Sequence, residues 1–242
     1  MSVMNDEKNL SQLIKEAELN IAAGKQKEAE HQLFQAFGIV HQTRNPTLAR
    51  KITELLEKIG LFLSPPQSIE LSPLATEGFI LDIGGGGEGI IGKLHGPQVV
   101  AIDTSERELS ETRNEALKIV MDGSDLKFLP NSFDVCTAFF SFMYIPKSEH
   151  SKVFQEVNKV LKDNGQFLLW DVRIPSLKKQ NRQFIVPLTV QLPNETVQTG
   201  YGVRWQTQDI NHFKELAKEH KFKVVDEWTE SETFHLKLVK KH

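Results

Sequence analysis

The chain has 242 residues, 39% of them hydrophobic and 25% charged, enough to bury a core, so wholesale disorder and fibrous repeats are excluded. A formal charge of −3 leaves no global basic field to hold nucleic acid, and a single cysteine, Cys136, excludes an internal disulfide or a multi-cysteine metal centre. The opening residues lack the basic segment and apolar run of a signal peptide, and the longest apolar stretch, Ala138 to Ile145, falls far short of the roughly 20 residues of a membrane span; a soluble, cytoplasmic protein is expected.

Residues 1–63 read as a helical N-terminal arm. Leu10, Leu13, Ile14, Ala17 and Ile21 recur at intervals of three and four, Gly24 interrupts, and Ala29, Leu33, Ala36, Phe37 and Val40 resume the period. Pro46 opens a third stripe, Leu48, Ile52, Leu55, Leu56 and Ile59, which ends at Gly60. Three short helices are expected, either pairing two chains in a homodimer or capping a pocket. Residues 64–77, with Pro65-Pro66 and Ser72-Pro73, read as a linker.

From residue 78 to 242 short apolar runs alternate with amphipathic stretches. Strands are expected at Phe79–Ile83, Gln98–Asp103, Leu117–Met121, Phe133–Phe140 and Gln166–Val172, with helices between them. One helix opens at Ser105 with Glu108 at capping-box spacing, and another covers Ser148 to Lys162 and is closed by Asn164-Gly165. Two extended segments, Phe184–Leu192 and Thr196–Trp205, precede a helix over Gln208–His220 and a closing hairpin, Lys223–Trp228 with Thr233–Val239. This alternation predicts a doubly wound α/β domain: a mostly parallel seven-stranded sheet with an antiparallel C-terminal edge.

Ligands of such sheets sit at the carboxyl ends of the strands, where the strand order reverses. The densest glycine cluster, Gly84-Gly85-Gly86-Gly87, lies there, followed by Glu88 and Gly89 and preceded by Asp82. About twenty residues on, Asp103 ends the next strand, where an acid grips the ribose hydroxyls of an adenosine. Glu88, read as part of the first helical turn, would repel a pyrophosphate at a helix N-terminus. Asp82 adds a second negative charge, so a ligand carrying ammonium and sulfonium groups suits the loop better than NAD or ATP.

Here the sequence resembles the class I S-adenosylmethionine-dependent methyltransferases. Ile80-Leu81-Asp82-Ile83-Gly84-Gly85-Gly86 resembles the family's first motif, and Val100-Ala101-Ile102-Asp103-Thr104-Ser105 its second. The run Asp122-Gly123-Ser124 to Phe133-Asp134 is similar to the third and fourth, and Val157 to Leu169 to the segment leading into the fifth strand. The resemblance implies S-adenosylmethionine as cofactor. Its methionine end would lie on Gly84 to Gly86 near Asp82, its ribose on Asp103 beside Thr104, and its adenine on Asp122 and Gly123, with Phe139 and Phe140 flanking the adenine or the methyl group. One departure stands out: Glu88 replaces the third motif glycine, and Gly89 follows it. Either the loop is shifted by one residue, or Glu88 faces solvent or the methionine ammonium.

Methyl transfer from a sulfonium needs a catalytic base only where the acceptor must lose a proton, so no triad or dyad is expected. The acceptor region is placed at Arg182 to Trp205, contributing Tyr201, Arg204 and Trp205, with Tyr144 beside it; Trp170, Asp171 and Arg173 lie near the same strand ends. Cys136, inside a strand, reads as a packing residue rather than a nucleophile. The expected reaction moves a methyl group to a small or medium-sized acceptor, with no membrane or nucleic-acid partner and no metal. The alternatives are a non-catalytic S-adenosylmethionine-binding regulatory or assembly protein, and an NAD-type oxidoreductase, whose site is also glycines followed by a distant acid.

Overall fold

The computed structural model describes residues 2–43, 45–176 and 183–241. The chain divides into two compact units, Met1–Ser64 with Lys179–Ile185, and Pro65–Lys178 with Val186–His242.

The first unit is built on three helices, α1 (Ser2–Ala22), α2 (Gln26–Thr43) and α3 (Pro46–Lys58). Their apolar stripes meet in one core that includes Leu10, Ile14, Leu33, Ala36, Ile52 and Leu56. Asn45 caps α3, its side chain accepting from the Leu48 amide at 3.2 Å, and Pro46 sits where its missing N–H costs nothing. After Gly60 the chain forms a short strand, β1 (Leu61–Leu63), paired in parallel with Gln183–Ile185. The helical arm thus acquires a strand and a distant partner that a three-residue run cannot announce by periodicity.

In the second unit, the stretch expected as a bare linker contains a strand, β2 (Gln67–Glu70), whose residues alternate between buried and exposed. The main sheet then runs β3 (Ile80–Ile83), α4 (Ile90–His95), β4 (Val99–Asp103), α5 (Glu106–Glu111), β5 (Leu117–Val120), β6 (Phe133–Phe139), α6 (His150–Val160) and β7 (Leu161–Val172). An inserted pair follows, β8 (Gln183–Gln191) and β9 (Thr196–Arg204), then α7 (Ile210–Glu219), β10 (Phe222–Glu230) and β11 (Thr233–Lys240). The seven strands stand in the order β10-β11-β7-β6-β3-β4-β5, parallel except for β11, which runs antiparallel to both its neighbours. The predicted sheet is therefore present. From β3 the chain winds outward through β4 and β5 and then returns to β6 on the other side of β3, so the order reverses between β3 and β6. Residues 188–191 of β8 pair with β2 in parallel, and β9 pairs with β8.

One boundary differs from expectation. Helix α6 ends at Val160 because Leu161 is already extended, and Asn164-Gly165 closes nothing. Asn164, at φ +61°, instead marks a bulge inside β7, where the register jumps from Leu161 opposite Phe133 to Gln166 opposite Val135. A Cβ on Gly165 would lie 2.8 Å from the Lys162 carbonyl oxygen, so the bulge admits only glycine there.

Helices α6 and α7 cover one face of the sheet through an aromatic cluster. The Phe142 ring lies 5.2 Å from Phe213 and 5.6 Å from Phe154, and all three are buried. No helix among the described residues is long and apolar enough to cross a membrane. Phe142→Ala is expected to lower the unfolding free energy by about 3–5 kcal/mol, the usual cost of emptying an aromatic core position, as measured by urea denaturation.

Candidate functional site

A cavity of about 620 Å³ opens at the carboxyl ends of β3, β4 and β6, where the strand order reverses, within the volume range of small-ligand sites. Its floor is the glycine bend. The amides of Gly84 and Gly85 both donate to the Ile102 carbonyl, at 2.8 and 3.0 Å, folding the bend back onto the end of β4. Gly84 adopts φ +74°, and a Cβ there would stand 2.4 Å from the Ser141 Cβ. Only glycine satisfies both demands.

Two carboxylates flank this floor. Asp103 spends Oδ1 on the Ser105 amide, at 2.8 Å, and turns Oδ2 toward Gly86, where a Cβ would lie 2.9 Å away. That bond takes the place of half the capping box: the Ser105 hydroxyl accepts from the Glu108 amide, while the Ser105 amide serves Asp103 rather than the Glu108 carboxylate. Asp122 is oriented in the same way, with Oδ1 accepting from the Ser124 amide at 2.7 Å. Asp82 is buried beneath the bend and accepts from the Thr137 hydroxyl at 2.7 Å. Burial pushes its pKa up to about 7; the Thr137 bond opposes the rise and the negative charge of Asp103 adds to it.

Glu88 is not in a helical turn. Gly89, in the left-handed conformation at φ +57°, is the cap of α4, so the loop is one residue longer than the motif and Glu88 precedes the helix. Its carboxylate accepts from the Thr199 hydroxyl on β9 and faces the hydroxyl of Tyr201. Burial, then the charge of Glu88, pushes the Tyr201 phenol well above its ordinary value. Its ring stacks on Phe140 at 5.4 Å and meets Tyr144 edge to face at 6.4 Å. Partial burial of the Tyr144 phenol, with the charges of Glu88, Asp171 and Glu108, raises it to about 12 against a bond to the Gly202 backbone.

Of the sequence-predicted residues, Asp82, Gly84, Gly85, Gly86, Asp103, Thr104, Asp122, Gly123, Phe139, Tyr144 and Tyr201 all border the cavity. Arg204 and Trp205 do not: Arg204 is exposed, and the Trp205 indole N–H donates to the Pro175 carbonyl at 2.9 Å. The reason is strand periodicity. On β9 the odd-numbered residues from Val197 to Val203 face inward and the even ones face solvent. Arg182, the expected start of the acceptor region, lies outside the described residues. Trp170 packs on His235 and Phe139, Arg173 pairs with Glu232, and Asp171 accepts from the Met143 amide and Gln208; none of them borders the cavity. Cys136 is fully buried, and burial pushes its thiol far from the ionised form a nucleophile needs. Phe140, expected beside Phe139, borders the cavity too; Glu108, Ser141 and Glu149 also border it, as does Glu88, which the sequence reading did not count among the site residues. The signal for Phe140 is backbone: it holds φ +51°, an uncommon state for a bulky residue.

A family profile described as "Methyltransferase domain" matches residues 81–169, the stretch that carries the glycine bend and β3 through β7. Residues 81–169 thus carry a methyltransferase-domain profile on a fold shared with solved S-adenosylmethionine-dependent methyltransferases. A glycine/sarcosine/dimethylglycine N-methyltransferase of Actinopolyspora halophila is 33% identical over 147 residues, covering 51% of this chain and 26% of that protein. A sterol 4-C-methyltransferase of Caenorhabditis elegans is 31% identical over 108 residues, covering 44% of this chain and 31% of that protein. The chain thus spans about a quarter to a third of the length of these curated relatives. The solved structure of an S-adenosylmethionine-dependent methyltransferase from Methanosarcina mazei aligns with a TM-score of 0.53 and 19% identity, covering 72% of this chain and 99% of that one.

The residues of the methyltransferase domain fit the cofactor that the motif resemblance implies. Among the described residues, every ionisable side chain of Asp, Glu, Lys, Arg or His bordering the cavity is a carboxyl: Asp82, Glu88, Asp103, Glu108, Asp122 and Glu149. That set suits a cationic nucleoside and repels a pyrophosphate. Ser141 Oγ, in a side chain 7% exposed, has no hydrogen-bond partner and borders the same cavity, a polar group in want of a ligand.

A pH test follows for Asp82. Its folded pKa, near 7, lies above its ordinary value of 3.8, so the folded state holds the extra proton and the carboxyl's contribution to stability falls as pH rises from about 4 to 7. Asp82→Asn keeps an acceptor for Thr137 and cannot ionise. Its stability relative to wild type is expected to improve between pH 4 and pH 8 by up to roughly 4 kcal/mol, three pKa units, in paired urea titrations.

Proposed function

We propose that this chain is an S-adenosylmethionine-dependent methyltransferase acting on a small or medium-sized acceptor. The observation that carries the reading is the glycine bend beneath a cavity whose charged lining is acidic among the described residues, at the strand-order reversal beside a methyltransferase-domain profile. Asp103 would hold the ribose hydroxyls with its remaining oxygen, Gly84 to Gly86 would admit the methionine end, Asp122 and Gly123 would meet the adenine, and Thr104 and Phe139 would complete the wall. The matched relatives named for glycine derivatives and for a sterol support an acceptor of modest size.

When bound, S-adenosylmethionine supplies a methyl group on a positively charged sulfur, already activated toward displacement. The chain's own work is then to position and enclose. The wall after β6 is anchored from within: the Asp171 carboxylate accepts from the Met143 amide at 3.2 Å and from Gln208 at 2.6 Å, fixing the turn that carries Ser141 and Tyr144. Tyr201, stacked on Phe140, narrows the cavity from the β9 side and keeps water from the reacting centre. Such positioning can supply up to about 7–11 kcal/mol in favourable cases, so a dedicated base is not required for an acceptor that arrives with a free electron pair.

Isothermal titration tests the cofactor assignment. Wild type is expected to bind S-adenosylmethionine with micromolar affinity and not to bind NADH, and Asp103→Ala to bind S-adenosylmethionine about 10- to 100-fold more weakly, the worth of a charge-assisted hydrogen bond. Unchanged affinity in the variant would contradict the ribose assignment, and NADH binding in place of S-adenosylmethionine would overturn the function.

A further inference from the structure

We propose that the methyl acceptor is an amine without a carboxylate or phosphate of its own, received between Glu88 and the Tyr144–Tyr201 pair. The inference rests on the cofactor reading above, which commits the bend, Asp103, Asp122 and Gly123 to the donor. The rest of the cavity wall includes the polar side chains of Glu88, Glu108, Glu149, Ser141, Tyr144 and Tyr201. No lysine, arginine or histidine borders the cavity among the described residues, so an anionic acceptor would meet only like charge.

The lengthened loop decides where Glu88 stands. With Gly89 taking the cap of α4, the Glu88 carboxylate reaches the inward face of β9, where the Thr199 hydroxyl donates to it and Tyr201 faces it. A carboxylate so held has acceptor capacity left for an N–H. Two phenol rings meeting edge to face 6.4 Å apart offer aromatic surface to a cation beside it. Because burial and neighbouring charge raise both phenols, the rings stay neutral and Tyr201 keeps its proton. Ser141 Oγ, buried and without a partner, supplies a further polar contact on the same cavity.

The step balances without a further reagent. An acceptor that enters as an ammonium gives one proton to the Glu88 carboxylate, which frees the nitrogen lone pair. The N–C bond forms as the C–S bond breaks, and the bonding pair stays on sulfur. The acceptor leaves as the methylated ammonium, the positive charge having passed from sulfur to nitrogen, and the sulfonium is left as a neutral thioether; Glu88 returns its proton to solvent.

The test uses matched pairs that differ only at the end group: ethanolamine against 3-hydroxypropionate, phenethylamine against 3-phenylpropionate, and tyramine against 3-(4-hydroxyphenyl)propionate. Binding of S-adenosylmethionine is measured first, and its absence would count against the proposed function rather than against this inference. Each probe is then titrated calorimetrically into the full chain saturated with S-adenosylhomocysteine, and methylated product is located by mass spectrometry. At least one amine is expected to bind and be methylated on nitrogen, while its acid partner does neither. Glu88→Gln is expected to lower amine affinity and kcat/KM about tenfold or more, with S-adenosylmethionine affinity within about twofold of wild type. Methylation of the acids, methylation on oxygen, or no binding by any amine overturns the proposal. An equal loss of S-adenosylmethionine affinity in Glu88→Gln also overturns it, by assigning the carboxylate to the methionine ammonium.

Discussion

The cavity depends on one doubly used acceptor. The Ile102 carbonyl, next to last in β4, receives the amides of both Gly84 and Gly85. This ties the chain leaving β3 to the end of its neighbour and makes it turn without side chains. The turn leaves an open floor at the reversal of strand order, and it brings Asp82 close enough to Asp103 for their charges to interact. Any residue with a Cβ at Gly84 would drive Ser141 away, so floor and opposite wall are fitted to each other by contact and not by a ligand.

The charge distribution follows from that geometry. A chain with a net charge of only −3 gathers six carboxylates around one cavity, with no lysine, arginine or histidine bordering it among the described residues. Lys93 pairs with Glu195, Lys162 with Asp134, and Arg173 with Glu232, all partly exposed and each worth little on its own. Repulsion within the cavity is contained in three ways. Asp103 and Asp122 each accept from a backbone amide, Glu88 accepts from a hydroxyl, and burial raises Asp82 to about 7, which lowers its share of the charge. Such an arrangement is disposed to receive positive charge, and it links the donor's sulfonium to the proposed amine by a single electrostatic cause.

Strain is concentrated in the same place. Phe140 carries φ +51° at the end of β6, a state that costs on the order of 1–3 kcal/mol for a residue with a bulky side chain. It is held there by the hydrogen bond its amide donates to the Trp170 carbonyl at 2.8 Å and by the Tyr201 ring lying on it. The following turn is fixed by Asp171, whose carboxyl is raised to about 7 by burial even though backbone amides and Gln208 favour its charged form. The wall of the cavity is thus pinned both by polar groups within the sheet and by Phe142, which anchors the same turn in the aromatic cluster.

Much was legible in order along the chain, because the signals are local. The glycine bend, Asp103 at a strand end, Asp122 two residues before the serine whose amide orients it, and the alternation of strand and helix all depend on neighbours a few residues apart. The sequence by itself therefore determined the doubly wound sheet, the reversal of strand order and the acids that flank the bend. It could not reveal contacts between residues sixty or more apart: Tyr201 on Phe140, Glu88 with Thr199, or Leu61–Leu63 against Gln183–Ile185. Nor could it tell that Tyr201 faces in while Arg204, three positions on, faces out, since the phase of β9 is set by its pairing with β8. Those choices belong to tertiary structure for one physical reason: a side chain's direction on a strand is decided by which face finds something to pack against, and here that something comes from the far end of the fold.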